Sequence, residues 1–103
     1  MIHRFSWQFP CDHPALPGHF PHQPIAPGAV LLDRLEIFAK RIAAIGDGRW
    51  RVERAKFLQT VGPGDTLDFI FEAAPTGAVG FRIERDASLI AQGLLVAKPV
   101  GST

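Results

Sequence analysis

The sequence DHPALPGHFPHQPIAPG, residues 12–28, separates a strand pattern from a helix pattern. Six of the nine prolines lie between Pro10 and Pro27, and so do three of the four histidines. Because proline fixes φ and lacks a backbone N–H, this segment is predicted to be neither a helix interior nor a central strand. We expect a stiff loop that carries histidines directly into the start of a helix.

The pattern after the loop predicts one helix, from Ala29 to about Ile45. Its apolar residues fall on one wide stripe at about 100° per residue. The stripe consists of Leu31, Leu32, Leu35, Phe38, Ala39, Ile42, Ala43 and Ile45. Gly46 is the expected C-terminal cap.

Period-two alternation predicts a curved sheet around this helix. The first strand carries Phe5, Trp7 and Phe9 on one face, and four more strands are expected at 50–57, 66–73, 79–84 and 89–97 as a meander. An antiparallel sheet of about five strands wrapped around one long helix would make residues 1–103 a single α+β domain. Irregularities are expected near Ala55 or Lys56, and Gly93 predicts a bulge or a close backbone approach.

The composition narrows the class of protein. The chain has 103 residues, 47% of them hydrophobic, and a net charge of +1, so we expect no nucleic acid and no anionic membrane as partner. The single Cys11 excludes an internal disulfide and fits a reducing compartment. We see no signal peptide and no membrane-spanning run, and therefore expect a cytoplasmic protein.

Two titratable residues stand out as candidates for chemistry. His19 lies in the stiff loop, and Asp33 follows fourteen positions later, away from the leucine stripe. Val30 and Ile37 neighbour Asp33 on the helical wheel, which suggests that Asp33 faces a cleft or a partner subunit. The alternatives are a solvated carboxylate favoured by the helix dipole and a histidine that orders its loop by hydrogen bonding.

The helix start is a third candidate feature, because Pro27-Gly28-Ala29 supplies no capping side chain. Its first N–H groups are available to water, a substrate oxygen or an anion. Gly28 would let a ligand approach the backbone closely, although a glycine cap with water is the simpler interpretation.

A metal site is a further alternative for the residues of this loop. Asp12, His13, His19 and His22 are close in sequence, but the prolines between them restrict convergence and the spacing matches no zinc pattern. We therefore expect no metal and no other cofactor, and a structural role for Cys11.

Two motifs resemble a known family. Residues 18–28, GHFPHQPIAPG, resemble the G-H-F-P-x-x-P-x-x-P-G signature of the 3-hydroxyacyl-acyl carrier protein dehydratases. Residues 56–67, KFLQTVGPGDTL, resemble that family's K-F-x-x-x-V-x-P-G-D-x-L segment, and the acidic residue of the family also follows its histidine by fourteen positions. Residues 12–17 resemble a branch found with aryl-polyene pathways.

The resemblance implies a hot-dog fold and dehydration of a 3-hydroxyacyl thioester carried on the phosphopantetheine of an acyl carrier protein. It implies catalysis by His19 and Asp33, with Gly28, Phe20, Pro27 and Ala29 at the oxyanion and substrate site. It also implies a homodimer or an oligomer of dimers, or a hetero-oligomer with a related hot-dog chain, with sites shared between protomers. His22 replaces the glycine that often follows H-F-P.

Two rival functions remain open at this point. One is thioester hydrolysis, in which the same carboxylate activates water. The other is a non-catalytic acyl-binding domain, which the presence of both His19 and Asp33 disfavours.

Overall fold

The computed structural model describes residues 2–10, 28–42, 50–73 and 77–97. These residues form one helix and five strands. The elements in chain order are β1 (Ile2–Gln8), α1 (Gly28–Ala39), β2 (Trp50–Phe57), β3 (Thr66–Ala73), β4 (Val79–Arg85) and β5 (Ser88–Ala97). The predicted α+β class and the predicted strands are confirmed.

The sheet order is β1-β3-β4-β5-β2, and all neighbouring strands are antiparallel. The expected four-strand meander is therefore wrong, because only β3, β4 and β5 form one. The chain leaves β1 at one edge and, after α1, enters β2 at the opposite edge, so the later strands fill the space between them. Both β1 and β2 are edge strands of the sheet.

The core lies between α1 and one face of the sheet. The strands alternate, so Leu67, Phe69 and Phe71 of β3 face inward and are fully buried. From the helix, Leu31, Leu35 and Phe38 meet them, with the Phe38 and Phe69 ring centroids 5.3 Å apart. Burial of this stripe against the sheet is the main stabilising interaction of the helix.

The regular helix ends earlier than predicted, at Ala39 rather than near Ile45. The next turn tightens, since the Arg41 N–H donates to the Phe38 carbonyl and the Ile42 N–H donates to the Ala39 carbonyl. Ile42 is nevertheless only 3% exposed. The apolar stripe therefore continues beyond the last residue of the regular helix. The expected cap at Gly46 lies outside the described residues.

The edge strand β2 carries the one irregularity in its pairing with β5. The register shifts between Val52 and Arg54, two residues before the predicted position. Gly93 of β5 lies beside this shift, and a Cβ there would collide with the Arg54 carbonyl oxygen and the Phe81 ring. Gly93 is thus the predicted close backbone approach, and the bulge belongs to β2.

Candidate active site

Gly28 is the first residue of α1, and the next strand of the chain reaches back to it. A Cβ built on Gly28 would lie 3.2 Å from two atoms of the Phe57 ring, at the end of β2. Ala29 is exposed beside it. The first turn of α1 holds no acidic residue, so its N–H groups have no carboxylate from that turn as acceptor.

Asp33 lies on the exposed side of α1 and borders a cleft of about 150 Å³ between the helix and β2. The walls of the cleft are mostly apolar and include Leu32, Leu35, Trp50, Val52 and Leu95. An Asp at such a wall is screened from water only if something closes the cleft. Within one chain, Asp33 is exposed at the border of the cleft, and Val30 and Ile37 are not among the residues that line it.

The cleft also has charged residues at its border. Glu36 lies one turn after Asp33 and pairs with Lys40, with 3.8 Å between Oε1 and Nζ. Arg51 of β2 borders the same cleft from the opposite side. Of the two carboxylates at the cleft, Glu36 is therefore in an ion pair, whereas Asp33 is in none of the ion pairs between described residues. Arg51 lies at the rim.

Along α1, Gly28 and Asp33 are separated by about 7.5 Å, from a rise of about 1.5 Å per residue. Gly28 lies beside Phe57 at the end of β2, and Asp33 borders the same cleft as Val52. His19, together with Phe20 and Pro27, lies outside the described residues, and so do Asp12, His13 and His22.

Sequence reasoning gave no role to Phe57 or Trp50, and considered Arg51 only as one of several basic residues that could guide a carrier protein. Phe57 was visible as part of the motif at 56–67, but an aromatic residue at a strand end is usually a core residue, and here it is 41% exposed. Trp50 and Arg51 reach the cleft only because β2 pairs with β5 at the sheet edge. That pairing was not predicted.

The turn within residues 56–67 is held by hydrogen bonds to the Asp65 carboxylate. Its Oδ2 accepts hydrogen bonds from the Gly62 N–H at 2.8 Å and from Arg85 Nη1 at 2.8 Å. Arg85 also donates to the Thr60 carbonyl at 3.0 Å. The hairpin between β4 and β5 thereby fixes the segment that follows Phe57.

No described helix has the length and apolarity needed to cross a membrane. Within the same residues, no group of three or more potential ligands is arranged to hold a metal ion.

A single helix lying in a curved antiparallel sheet, with a carboxylate at a cleft beside an edge strand, is the arrangement of hot-dog proteins. Comparison of structures agrees: the dehydratase heterocomplex ApeI:P from Xenorhabdus doucetiae superposes with a TM-score of 0.80 over 94% of this chain and 88% of that one. At 22% identity this likeness establishes the hot-dog fold alone.

Residues 2–94 match the ApeI-like family, described as ApeI dehydratase, and the chain belongs to that family. Two curated relatives are named 3-hydroxyacyl-[acyl-carrier-protein] dehydratase FabZ. The protein from Rhizobium johnstonii is 35% identical over 56% of this chain and 42% of its own length. The protein from Sorangium cellulosum is 30% identical over 86% of this chain and 66% of its own length. The chain thus spans 42–66% of the length of these relatives.

Proposed function

We propose that this chain catalyses the dehydration of a 3-hydroxyacyl thioester carried on an acyl carrier protein, in fatty-acid or polyene biosynthesis. The observation that carries the proposal is the family match across residues 2–94, together with Asp33 at an apolar cleft. The product is a trans-2-enoyl thioester and water.

In the proposed reaction, His19 takes the proton from the carbon next to the thioester carbonyl. The N–H groups at the start of α1, chiefly that of Gly28, stabilise the negative charge on the thioester oxygen. The bond from the third carbon to its hydroxyl then breaks, and Asp33, or a water that it orients, supplies the proton that makes the leaving group water. No redox cofactor is required by this balance.

An acidic role for Asp33 requires an environment that favours its protonated form, and burial acts in that direction. In the single chain Asp33 is exposed, so a second chain has to supply the cover. The β2 edge is the suitable place, because β2 forms one wall of the cleft. Of the large apolar side chains exposed among the described residues, four lie on α1 or at β2: Ile37, Val52, Phe57 and Leu58.

We therefore place a second hot-dog chain against the β2 edge, where unpaired strand groups and apolar side chains meet. The second chain is either a copy of this one or a related hot-dog chain; the similar structure from Xenorhabdus doucetiae is itself a dehydratase heterocomplex. Light scattering on the purified chain, combined with an activity assay, distinguishes the two. An active dimer of this chain alone indicates the homodimer, and a monomer that becomes active only when a related chain is added indicates the hetero-oligomer. Val52→Asp should disrupt either assembly.

The acyl carrier protein is the proposed partner for catalysis, and acidic carrier proteins would dock on basic residues. Several basic residues are already engaged within the chain: Arg34 lies 4.8 Å from the Trp7 ring, Arg41 lies 5.5 Å from the Phe38 ring, and Lys40 pairs with Glu36. Among the basic residues of the part of the chain that the structure describes, Arg51, Arg54 and Lys56 of β2 have no such partner, and Arg51 borders the cleft. Charge reversal at these three should raise KM and reduce its salt dependence.

The decisive experiment is turnover of 3-hydroxyacyl carrier proteins followed by mass spectrometry. Enoyl product supports the proposal, release of free thiol indicates hydrolysis, and unchanged substrate that nevertheless binds indicates an acyl-binding domain. Cytoplasmic location stays a prediction from the sequence.

The shared site has its own test. His19→Ala and Asp33→Asn should each be inactive alone, and mixing them should restore activity if each site uses both protomers. A mixed dimer then holds one intact site and one that lacks both residues. If subunits exchange and no activity returns, the cross-protomer arrangement is wrong.

A further inference from the structure

A side chain at position 28 would be in tight contact with an aromatic ring of β2. A Cβ built on Gly28 would lie 3.2 Å from both Cε2 and Cζ of the Phe57 ring, and 3.7 Å from its Cδ2. Separations of 3.2 Å are tighter than ordinary carbon–carbon contact, which is about 3.5–4.0 Å. Any residue larger than glycine therefore displaces either the ring or the start of the helix.

The backbone beneath the ring is held from the other side. Phe57 pairs with Ala91 of β5, and the following Leu58 N–H donates to the Ile90 carbonyl at 2.8 Å. Beyond that point, the Arg85 guanidinium holds the Thr60 carbonyl and the Asp65 carboxylate. The strand end that carries Phe57 is thus fixed to the sheet, and relief of a clash has to come from rotation of the ring or movement of α1.

We propose that Phe57 is a positioning residue: its ring dictates glycine at position 28 and thereby fixes where α1 begins relative to β2. This inference rests on the proposed function, because the start of α1 carries the N–H group assigned to the thioester oxygen. It replaces the idea that Gly28 is needed to admit a ligand. The two explanations predict different outcomes when the ring is made smaller.

The test is a double-variant cycle on the assembled protein. Gly28→Ala should lower kcat by about tenfold with little change in KM, since the ring or the start of α1 has to shift by a few tenths of an ångström. Phe57→Leu alone should cost less than about threefold, and the double variant should exceed Gly28→Ala by at least about threefold in kcat, because contacting residues are coupled. Leu58→Ala in place of Phe57→Leu is the matched control, since Leu58 is adjacent and similarly exposed, at 44%. It should give no rescue.

The thermal unfolding midpoint of each variant is measured in parallel. If the wild type turns over substrate and Phe57→Leu gives no rescue of either kcat or midpoint, the inference is overturned while the proposed function stands. If the wild type shows no dehydration, the proposed function fails, and the thermal unfolding midpoint alone tests the inference. A midpoint that recovers in the double variant supports the role of the ring. A midpoint that falls by the sum of the two single-variant changes overturns it. If Gly28→Ala does not fold, recovery of a folded assembly in the double variant supports it, and failure of that variant to fold overturns it.

Discussion

Strands β2 and β3 both have eight residues and belong to the same sheet, but they differ in the burial of their apolar side chains. In β3, Leu67, Phe69 and Phe71 are fully buried inside the chain. In β2 no residue is buried, and Val52 and Phe57 are 37% and 41% exposed. The chain's own core thus buries the apolar side chains of β3, whereas Val52 and Phe57 of β2 stay exposed.

The outward faces of the two strands differ in the same way. Ile70 of β3 faces away from α1 yet is only 2% exposed. Its cross-strand neighbours are Arg4 and Arg82, whose long aliphatic stems are in position to cover it. The outward side chains of β2, among them Arg54 and Lys56, are exposed. The sheet therefore has a stable centre and an edge suited to recognition.

The largest effect should come from the centre. Phe69→Ala removes a ring that packs against Phe38 and Trp7, and should lower the free energy of unfolding by about 3–5 kcal/mol. Phe57→Ala, on the edge, should cost about 1 kcal/mol or less. Urea unfolding at one fixed chain concentration measures both. Equal costs would mean that Phe57 is as deeply covered as Phe69 in the assembled protein.

The next effect concerns the cleft beside the edge, and it appears in turnover rather than stability. Asp33→Asn keeps the shape of the side chain but removes the titrating group, so turnover should fall by about a hundredfold or more. The free energy of unfolding should change by less than about 0.5 kcal/mol, since Asp33 is exposed.

Glu36→Gln is the matched control for Asp33→Asn, because Glu36 borders the same cleft one helical turn away. Its exposed pair with Lys40 contributes little, so activity should stay within about threefold of the wild type. Equal losses in the two variants would show that the cleft responds to its total charge and that Asp33 has no specific role.

Strands β3 and β2 also differ in how much of their structure can be predicted from the sequence. The alternation at 66–73 predicted β3 and its inward residues correctly, because burial within one chain imposes a clear period. The helix was predicted too long, since Ile42 stays in the core after the backbone has left the α-helical geometry. Hydrophobic periodicity records which side chains are buried and is less sensitive to the exact hydrogen bonding of the backbone.

The position of β2 could not be predicted from its own residues. Its partner β5 lies more than thirty residues further along the chain, and sequence alternation contains no information about which strand pairs with which. For the same reason, the contact of Phe57 with Gly28 and the place of Arg51 at the cleft were missed. Asp33 was found from its position away from the leucine stripe, and the family resemblance then supplied the same fourteen-residue spacing from His19; its role remains a prediction.

A smaller effect should come from the link between the end of β2 and the centre of the sheet. Arg85→Met removes the hydrogen bonds to Asp65 and Thr60 and should cost about 1–2 kcal/mol in the free energy of unfolding. Arg82→Met is the control, because Arg82 makes a 3.3 Å pair with Glu84 at a more exposed position. It should cost about 0.5 kcal/mol or less, and a larger loss there would contradict the importance assigned to the Asp65 network.

The smallest effect should be a gain, at the turn between β4 and β5. Asp86 and Ala87 have φ of 50° and 66°, which is the left-handed conformation that a two-residue hairpin turn with the right twist requires. Asp adopts this conformation readily, but a Cβ in alanine makes it costly, whereas glycine at the second turn position is favoured. Ala87→Gly should therefore raise the free energy of unfolding by about 0.5–1 kcal/mol, after the entropy cost of glycine is subtracted. Asp86 is left unchanged. Turnover should be unaltered, because the turn joins β4 to the start of β5, whereas the Asp33 cleft is lined by Leu95 near the end of β5. Urea unfolding of the variant beside the wild type measures the gain, and a loss of stability would mean that the hairpin tolerates Ala87 without strain.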